Sequence, residues 1–220
     1  LMMMIRNPVQ SCDSWVRQAD RDNDCAQVCR RIVTMLYDID RVMHRRQNAI
    51  GVHMEDLKAR PQQTMHALCK WLGIKEAPSL YEMTAQGKKW WGDPSSPDYG
   101  NKQEILPFDD SCIKRPVGLV FNKRDQFLLE TLFHPFNVRF GYCQADPDGF
   151  KENLKEARSM LEGLLDFEKA IIERTGSDPQ QYLRSGDALM FRAALTDRFD
   201  VVDEFGTYPH MLTPLDIPSD

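Results

Sequence analysis

The sequence has no long apolar run and no surplus of basic residues, and each absence removes a class of function. Nowhere do its 220 residues approach the roughly 18 uninterrupted apolar positions that a membrane-spanning helix needs. The first residues lack the charged, apolar and small-residue order of a secretory signal, so a cytoplasmic location is expected. Lys and Arg number 28 against 33 Asp and Glu, a formal charge of −5, and this argues against nucleic-acid binding, which rests on cationic surplus. A small anionic ligand needs only a local cationic patch. No C-x2-C pair occurs among the six cysteines, so no metal site is read from them. Cys25 and Cys29 lie four apart and share a helix face, but no histidine stands near them; free, buried thiols are the expectation. A glycine-rich phosphate loop is also missing. The nearest stretch, Gln86-Gly87-Lys88-Lys89, has a single glycine and no strand expected before it.

With 42% hydrophobic and 28% charged residues, the chain is of the soluble globular class, one domain with an appendage. Its opening organises the rest. Leu1-Met2-Met3-Met4-Ile5 is an unbroken apolar run that stops at Arg6, the pattern of a strand buried on both faces. Asn7-Pro8 ends it, because proline suits the first turn of a helix, and that helix is predicted to run past Trp15 to about Gln18. An arginine at the carboxyl end of a parallel strand, followed by a helix N-terminus, faces the crevice where open α/β sheets bind ligands. Free N–H groups and the helix dipole favour an anion there, with Arg6 adding a bidentate fork and Ser14 a hydroxyl. The expected ligand group is a phosphate.

Further on, apolar residues from Val28 to Met43 recur at helical spacing and predict one long helix over about 23–47, with its interleaved arginines solvated. The 50–54 stretch reads as a second buried parallel strand. Glu55 and Asp56 follow as turn residues. Pro61 opens the next helix, Gly73 stops it, and His66 on it reads as exposed or structurally bonded. Residues 77–110, rich in proline and glycine and carrying Lys88-Lys89-Trp90-Trp91, read as a lid or binding loop. A helix is expected over 126–133, a long amphipathic helix over 150–174 ending at Gly176, and another from Pro179 to about Leu195. These last helices are expected to pack on the chain's own core.

Arg6-Asn7-Pro8 with Ser14 eight positions after the arginine resembles the 3′-phosphate-binding segment of sulfotransferases that use 3′-phosphoadenosine 5′-phosphosulfate (PAPS). Val52-His53-Met54-Glu55-Asp56-Leu57-Lys58, Pro61 and the ending Trp71-Leu72-Gly73 are similar to that family's "YEDLK…P…FLG" strand, turn and helix. Met54 stands where the family places an adenine-stacking tyrosine. Ile113-Lys114-Arg115-Pro116-Val117-Gly118 lies where the family carries "RKGxxG"; Lys114 and Gly118 match it, and Arg115 and Pro116 do not. Phe140-Gly141-Tyr142 looks like the "lGY" ending of the core domain in bacterial relatives.

The resemblance implies an α/β fold, a P-loop NTPase-like parallel sheet flanked by helices, N-terminally truncated, with the core over 1–145 and a C-terminal helical extension over 146–220. It implies transfer of a sulfuryl group from PAPS to a hydroxyl or amine acceptor. Arg6, Ser14 and Lys114 would be its cofactor-binding residues, and no metal is implied. The family's phosphosulfate loop, roughly "PKSGTTW", and its general base match nothing in these residues. The chain is therefore expected to be the carboxyl-terminal part of a longer enzyme and inactive alone. Its catalytic residues are then elsewhere; His44 and His53 are the first to mutate should it prove active. The alternatives are another nucleotide-dependent transferase, such as a small-molecule kinase, and a non-catalytic module whose helical extension recruits a partner or forms an oligomer.

Overall fold

The computed structural model describes residues 1–18, 25–42, 45–82, 84–85, 88–89, 107–117, 120–161, 163–197, 208 and 210–217. In chain order the elements begin with β1 (Met2–Ile5), α1 (Pro8–Gln18), and α2 (Cys25–Thr34), which runs into a π-helical segment, Met35–Val42. Then come β2 (Ile50–His53), α3 (Met54–Ala59), α4 (Pro61–Leu72), a 3-10 turn (Pro78–Tyr81), β3 (Thr84–Ala85) and β4 (Lys88–Lys89). The rest is helical: α5 (Ser111–Lys114), α6 (Lys123–Leu132), α7 (His134–Arg139), α8 (Pro147–Met160), α9 (Asp166–Thr175), α10 (Pro179–Leu183) and α11 (Gly186–Asp197). The fold is thus mostly helical, with a small parallel sheet of two strands. Among the described residues no helix is long and apolar enough to cross a membrane. The chain forms two compact units: Leu1–Arg6, Ile50–Arg115 and His210–Asp220 make the first, Asn7–Ala49 and Pro116–Pro209 the second.

In the first unit β1 runs parallel to β2, Met2 opposite Ile50 and Ile5 opposite His53. The far edge of β2 takes the chain at 210–212, where Gly51 N–H donates to His210 O at 2.9 Å and Leu212 N–H to Gly51 O at 2.8 Å. Ile50, Val52, Ala67, Leu68 and Leu212 close a core below, so β2 is the buried strand that its sequence predicts. β1 is not buried on both faces. Successive side chains on a strand point to opposite sides, and here Met3 and Ile5 are buried while Met2 and Met4 stay 50% and 44% exposed. Pro61 sits in the first turn of α4 as expected, and Gly73 ends it at φ 68°, a left-handed conformation that costs other residues about 1–2 kcal/mol. Asp56 secures the α3–α4 turn: its carboxylate accepts Arg60 Nη2 at 2.6 Å, and its backbone oxygen accepts the Thr64 hydroxyl at 3.0 Å. His66 Nδ1 lies 3.1 Å from Glu76 Oε2, a structural bond. Thr84–Ala85 pairs antiparallel with Lys88–Lys89, so a strand does stand before Gln86-Gly87, contrary to the sequence reading. Most of the 77–110 lid reading, with Trp90 and Trp91, lies outside the described residues.

The second unit is helical. The expected single helix over 23–47 begins with normal α geometry and widens to π turns after Thr34, where Asp40 is drawn into the interior to meet Arg139. Arg139 Nη1 also donates to the Asp40 backbone oxygen at 2.5 Å, and both side chains are buried. A helix over 150–174 is interrupted. Gly163 weakens the ladder, and Glu168 reaches back to accept the Leu165 N–H at 2.6 Å, which starts α9 afresh behind Asp166. In the same way Ser185 Oγ accepts the Ala188 N–H at 3.2 Å and separates α11 from α10. Gly176 ends α9 at φ 69°, as its sequence position suggests. α11 packs on α2 and α8 on α6, so these helices complete the unit's own core rather than stand apart from it. Residues 146–220 contribute to both units. Phe121, Phe167 and Phe191 meet edge to face in that core, and Phe133, Phe136, Phe140 and Tyr208 make a second line in which the Phe136 and Phe140 rings are tilted and the other pairs edge to face.

Asp125 on α6 gives this unit a pH dependence. Burial first, and then the nearby Asp166 carboxylate, push its pKa up to about 6, although it accepts the N–H groups of Asp166 and Phe167 at the start of α9. The folded chain therefore holds the proton more tightly than the unfolded chain does. Its stabilising effect is complete below the unfolded value, near 4, and is lost as pH rises through about 6. Asp125→Asn removes that loss. The variant should be more stable than the parent at pH 8 by on the order of 1–2 kcal/mol, with the difference shrinking from pH 6 to pH 4. Urea melts at three pH values check this; a variant destabilised equally at all three would contradict it.

Candidate functional site

A cavity of about 420 Å³ opens in the second unit where α1 begins. Asn7, Val9 and Gln10 line it from α1's start, Val117 from the loop after α5, and Phe127, Glu130 and Thr131 from α6. Two segments 110 positions apart in the chain, Asn7 and Val117, thus converge on one space. His134 and Asn137 of α7 and the α8 start at Asp146 and Gly149 close it. Its size suits a nucleoside-sized ligand.

Local sequence places each group. Asn7 is the N-cap of α1: its Oδ1 accepts the Gln10 N–H at 3.1 Å, while its backbone oxygen takes the Ser11 N–H at 3.0 Å. One helix-end donor expected to hold an anion is therefore already engaged by the Asn7 carboxamide. Gly141, at φ 78°, turns the chain after α7, and the N–H groups of Tyr142 and Cys143 fold back onto Asn137 O at 2.7 and 3.3 Å. The buried Asn137 Oδ1 meets no donor among the described residues. His134 Nε2 accepts the Asp146 N–H at 3.3 Å, which leaves its proton on Nδ1, 3.7 Å from Cys143 Sγ. Burial lowers the His134 pKa against the pull of Asp146, and the ring is neutral at pH 7. Burial likewise raises the Cys143 thiol. With the histidine proton already on the nitrogen facing sulfur, this pair is not an activated thiol and base; it is a polar wall.

Among the described residues the lining carries the carboxylates Glu130 and Asp146 and neither arginine nor lysine. It presents hydrogen-bonding and aromatic side chains to whatever small molecule enters.

Of the residues singled out from sequence, Arg6 ends β1 half-buried in the first unit, and Ser14 lies half-buried on α1 in the second. Lys114 is exposed on α5, its Nζ 2.5 Å from Asp110 Oδ2. Gly118 and His44 lie outside the described residues. His53 Nδ1 is 3.6 Å from Asp56 Oδ2, tied to the turn it precedes. Sequence reasoning missed Glu130, His134 and Asn137; the last two reach the cavity because α7 starts afresh after the α6–α7 break. The His134-Pro135 step, a proline in a first helical turn, marks that break in the sequence.

No family model, no curated protein and no solved structure matches the chain.

Proposed function

We propose that this chain carries the nucleotide-binding part of a PAPS-dependent sulfotransferase with a P-loop-like α/β core. The reaction is transfer of the sulfuryl group to a hydroxyl or amine acceptor, releasing adenosine 3′,5′-bisphosphate. One observation carries the reading. The Arg6-to-Ser14 segment and the Lys114-to-Gly118 segment, each picked out by its likeness to a 3′-phosphate-binding element, contribute Asn7, Val9, Gln10 and Val117 to a single cavity. Parallel pairing of β1 with β2, and the helix from Pro61 to Gly73, agree with the order of elements that the resemblance implies. By the same resemblance, Arg6, Ser14 and Lys114 are the residues expected to contact the 3′-phosphate. These are binding residues. Uniform binding of a remote phosphate does not lower a barrier by itself, so nucleotide affinity rather than turnover is the property to measure.

Calorimetric titration of the 220-residue chain with adenosine 3′,5′-bisphosphate and with ATP tests the proposal. The bisphosphate is expected to bind at least tenfold more tightly. Equal affinities, or a preference for ATP, would favour a phosphoryl-transfer enzyme and reject the sulfotransferase reading.

A further inference from the structure

A second polar cluster is built into the same unit from residues that the proposal above does not use. Cys25 opens α2 and Cys29 follows one turn later, so both thiols lie on the helix face that packs inward. α9 brings the wholly buried Glu168 to them, and one ligand atom from each of the three residues lies within 4.8 Å of the other two. Cys29 Sγ is 4.0 Å from Glu168 Oε1 and 3.1 Å from the Tyr182 hydroxyl. The carboxylate is firmly held. Its Oε2 accepts the Leu165 N–H at 2.6 Å and Arg192 Nη2 at 2.5 Å, and its Oε1 accepts the Tyr182 hydroxyl at 2.5 Å. Oε1 also accepts the Cys29 thiol, and loss of that thiol proton on metal binding frees this direction for the ion.

We propose that Cys25, Cys29 and Glu168 form a binding site for one Zn(II) ion. Two sulfurs and a carboxylate oxygen on two helices need draw in only slightly to surround a tetrahedral ion at ordinary zinc–ligand lengths, and hard ions such as Mg(II) and Ca(II) are poorly served by thiolates. Charge balance favours the same ion. Arg192 Nη2 already faces the Glu168 carboxylate at 2.5 Å, so the cluster holds one cation and one anion before any ion enters. On binding, two thiol protons leave to solvent and two Zn–S bonds and one Zn–O bond form. The two new thiolate charges then cancel those of the ion. The buried cluster is neutral before and after, which avoids the cost of stranding charge in the core. Cys25 and Tyr182 also line a cavity of about 430 Å³, shared with Gly176, Asp178 and Ser185. It gives the ion an entry path and leaves room for an exchangeable fourth ligand such as water. Two cysteines on a helix face are in most proteins inert packing; here a buried carboxylate faces them, and a cavity reaches one of them.

The test uses the reduced full chain, with Co(II) as a spectroscopic probe and Zn(II) as its competitor. One equivalent of Co(II) should produce near-ultraviolet thiolate-to-metal absorption and the visible bands of a four-coordinate ion. One equivalent of Zn(II) should abolish both and raise the thermal midpoint by several degrees. A folded Cys25→Ser/Cys29→Ser variant should show neither band. Alkylation followed by peptide mapping needs no variant: Zn(II) should shield Cys25 and Cys29 in preference to the other cysteines. A folded parent chain without thiolate-to-cobalt absorption overturns the site, as does an undiminished band in the double variant or shielding confined to other cysteines. None of these outcomes depends on whether the chain binds a nucleotide.

Discussion

Asp40→Ala is expected to destabilise the second unit by about 3–5 kcal/mol, the cost of leaving a buried charge without its partner. Asp40 and Arg139 are 0% and 4% exposed, and the guanidinium is held by both the Asp40 carboxylate and the Asp40 backbone oxygen. Removing the carboxylate leaves Arg139 in the interior with a cation that water cannot reach. The pair also ties the π-helical segment to α7, whose Arg139 O accepts the Tyr208 N–H at 2.7 Å. Tyr208 in turn donates to Ala49 O at 2.8 Å, so the damage should spread to the turn that precedes β2. Replacing both partners together, Asp40→Leu with Arg139→Met, should recover most of the loss, because no charge is then stranded. Equilibrium urea unfolding of the parent, the single variant and the double variant separates the contributions. A single variant within about 1 kcal/mol of the parent would show that the pair is not desolvated as described.

Arg6→Ala should weaken binding of adenosine 3′,5′-bisphosphate by about 2–3 kcal/mol, a loss of tens to a hundredfold, because a charge-assisted and bidentate contact is removed. Ser14→Ala should cost less, about 1 kcal/mol, since only a neutral hydroxyl goes. The chemistry makes the effect selective. A nucleotide without the 3′-phosphate gains nothing from Arg6, so adenosine 5′-monophosphate should bind parent and variant alike. Parallel losses for both nucleotides would mean that the substitution disturbs β1 instead of removing a phosphate contact.

How much was legible in the sequence depended on how local the cause was. Pro8 and Pro61 start helices, and Gly73 and Gly176 stop them, for reasons contained in one residue's backbone; these readings agree with the structure. β2 reads as buried because Ile50 and Val52 carry the pattern in themselves. β1 reads the same way and is half exposed, since an apolar run records what a strand offers for burial, not whether both faces find cover. The break between α8 and α9 was hidden because Leu161, Leu164 and Leu165 continue a helical spacing. What starts α9 is the reach of Glu168 back to the Leu165 N–H, an interaction that periodicity does not register. The two clusters follow the same rule. Cys25 and Cys29 announce a shared face, but Glu168 arrives from 139 positions beyond Cys29. In the cavity, Asn7 was in view as part of a motif. His134 and Asn137 were not, because their convergence with α1 is set by the packing of α6 and α7.

Hydrogen–deuterium exchange of the chain, with and without saturating adenosine 3′,5′-bisphosphate, tests the central claim most directly. Nucleotide in the cavity should slow exchange in peptides covering 7–10, 117 and 130–137, while α11 and the start of α9 around Phe167 stay unchanged. Binding without protection at those positions, or protection confined to the face of α2 that carries Cys25, would contradict the account.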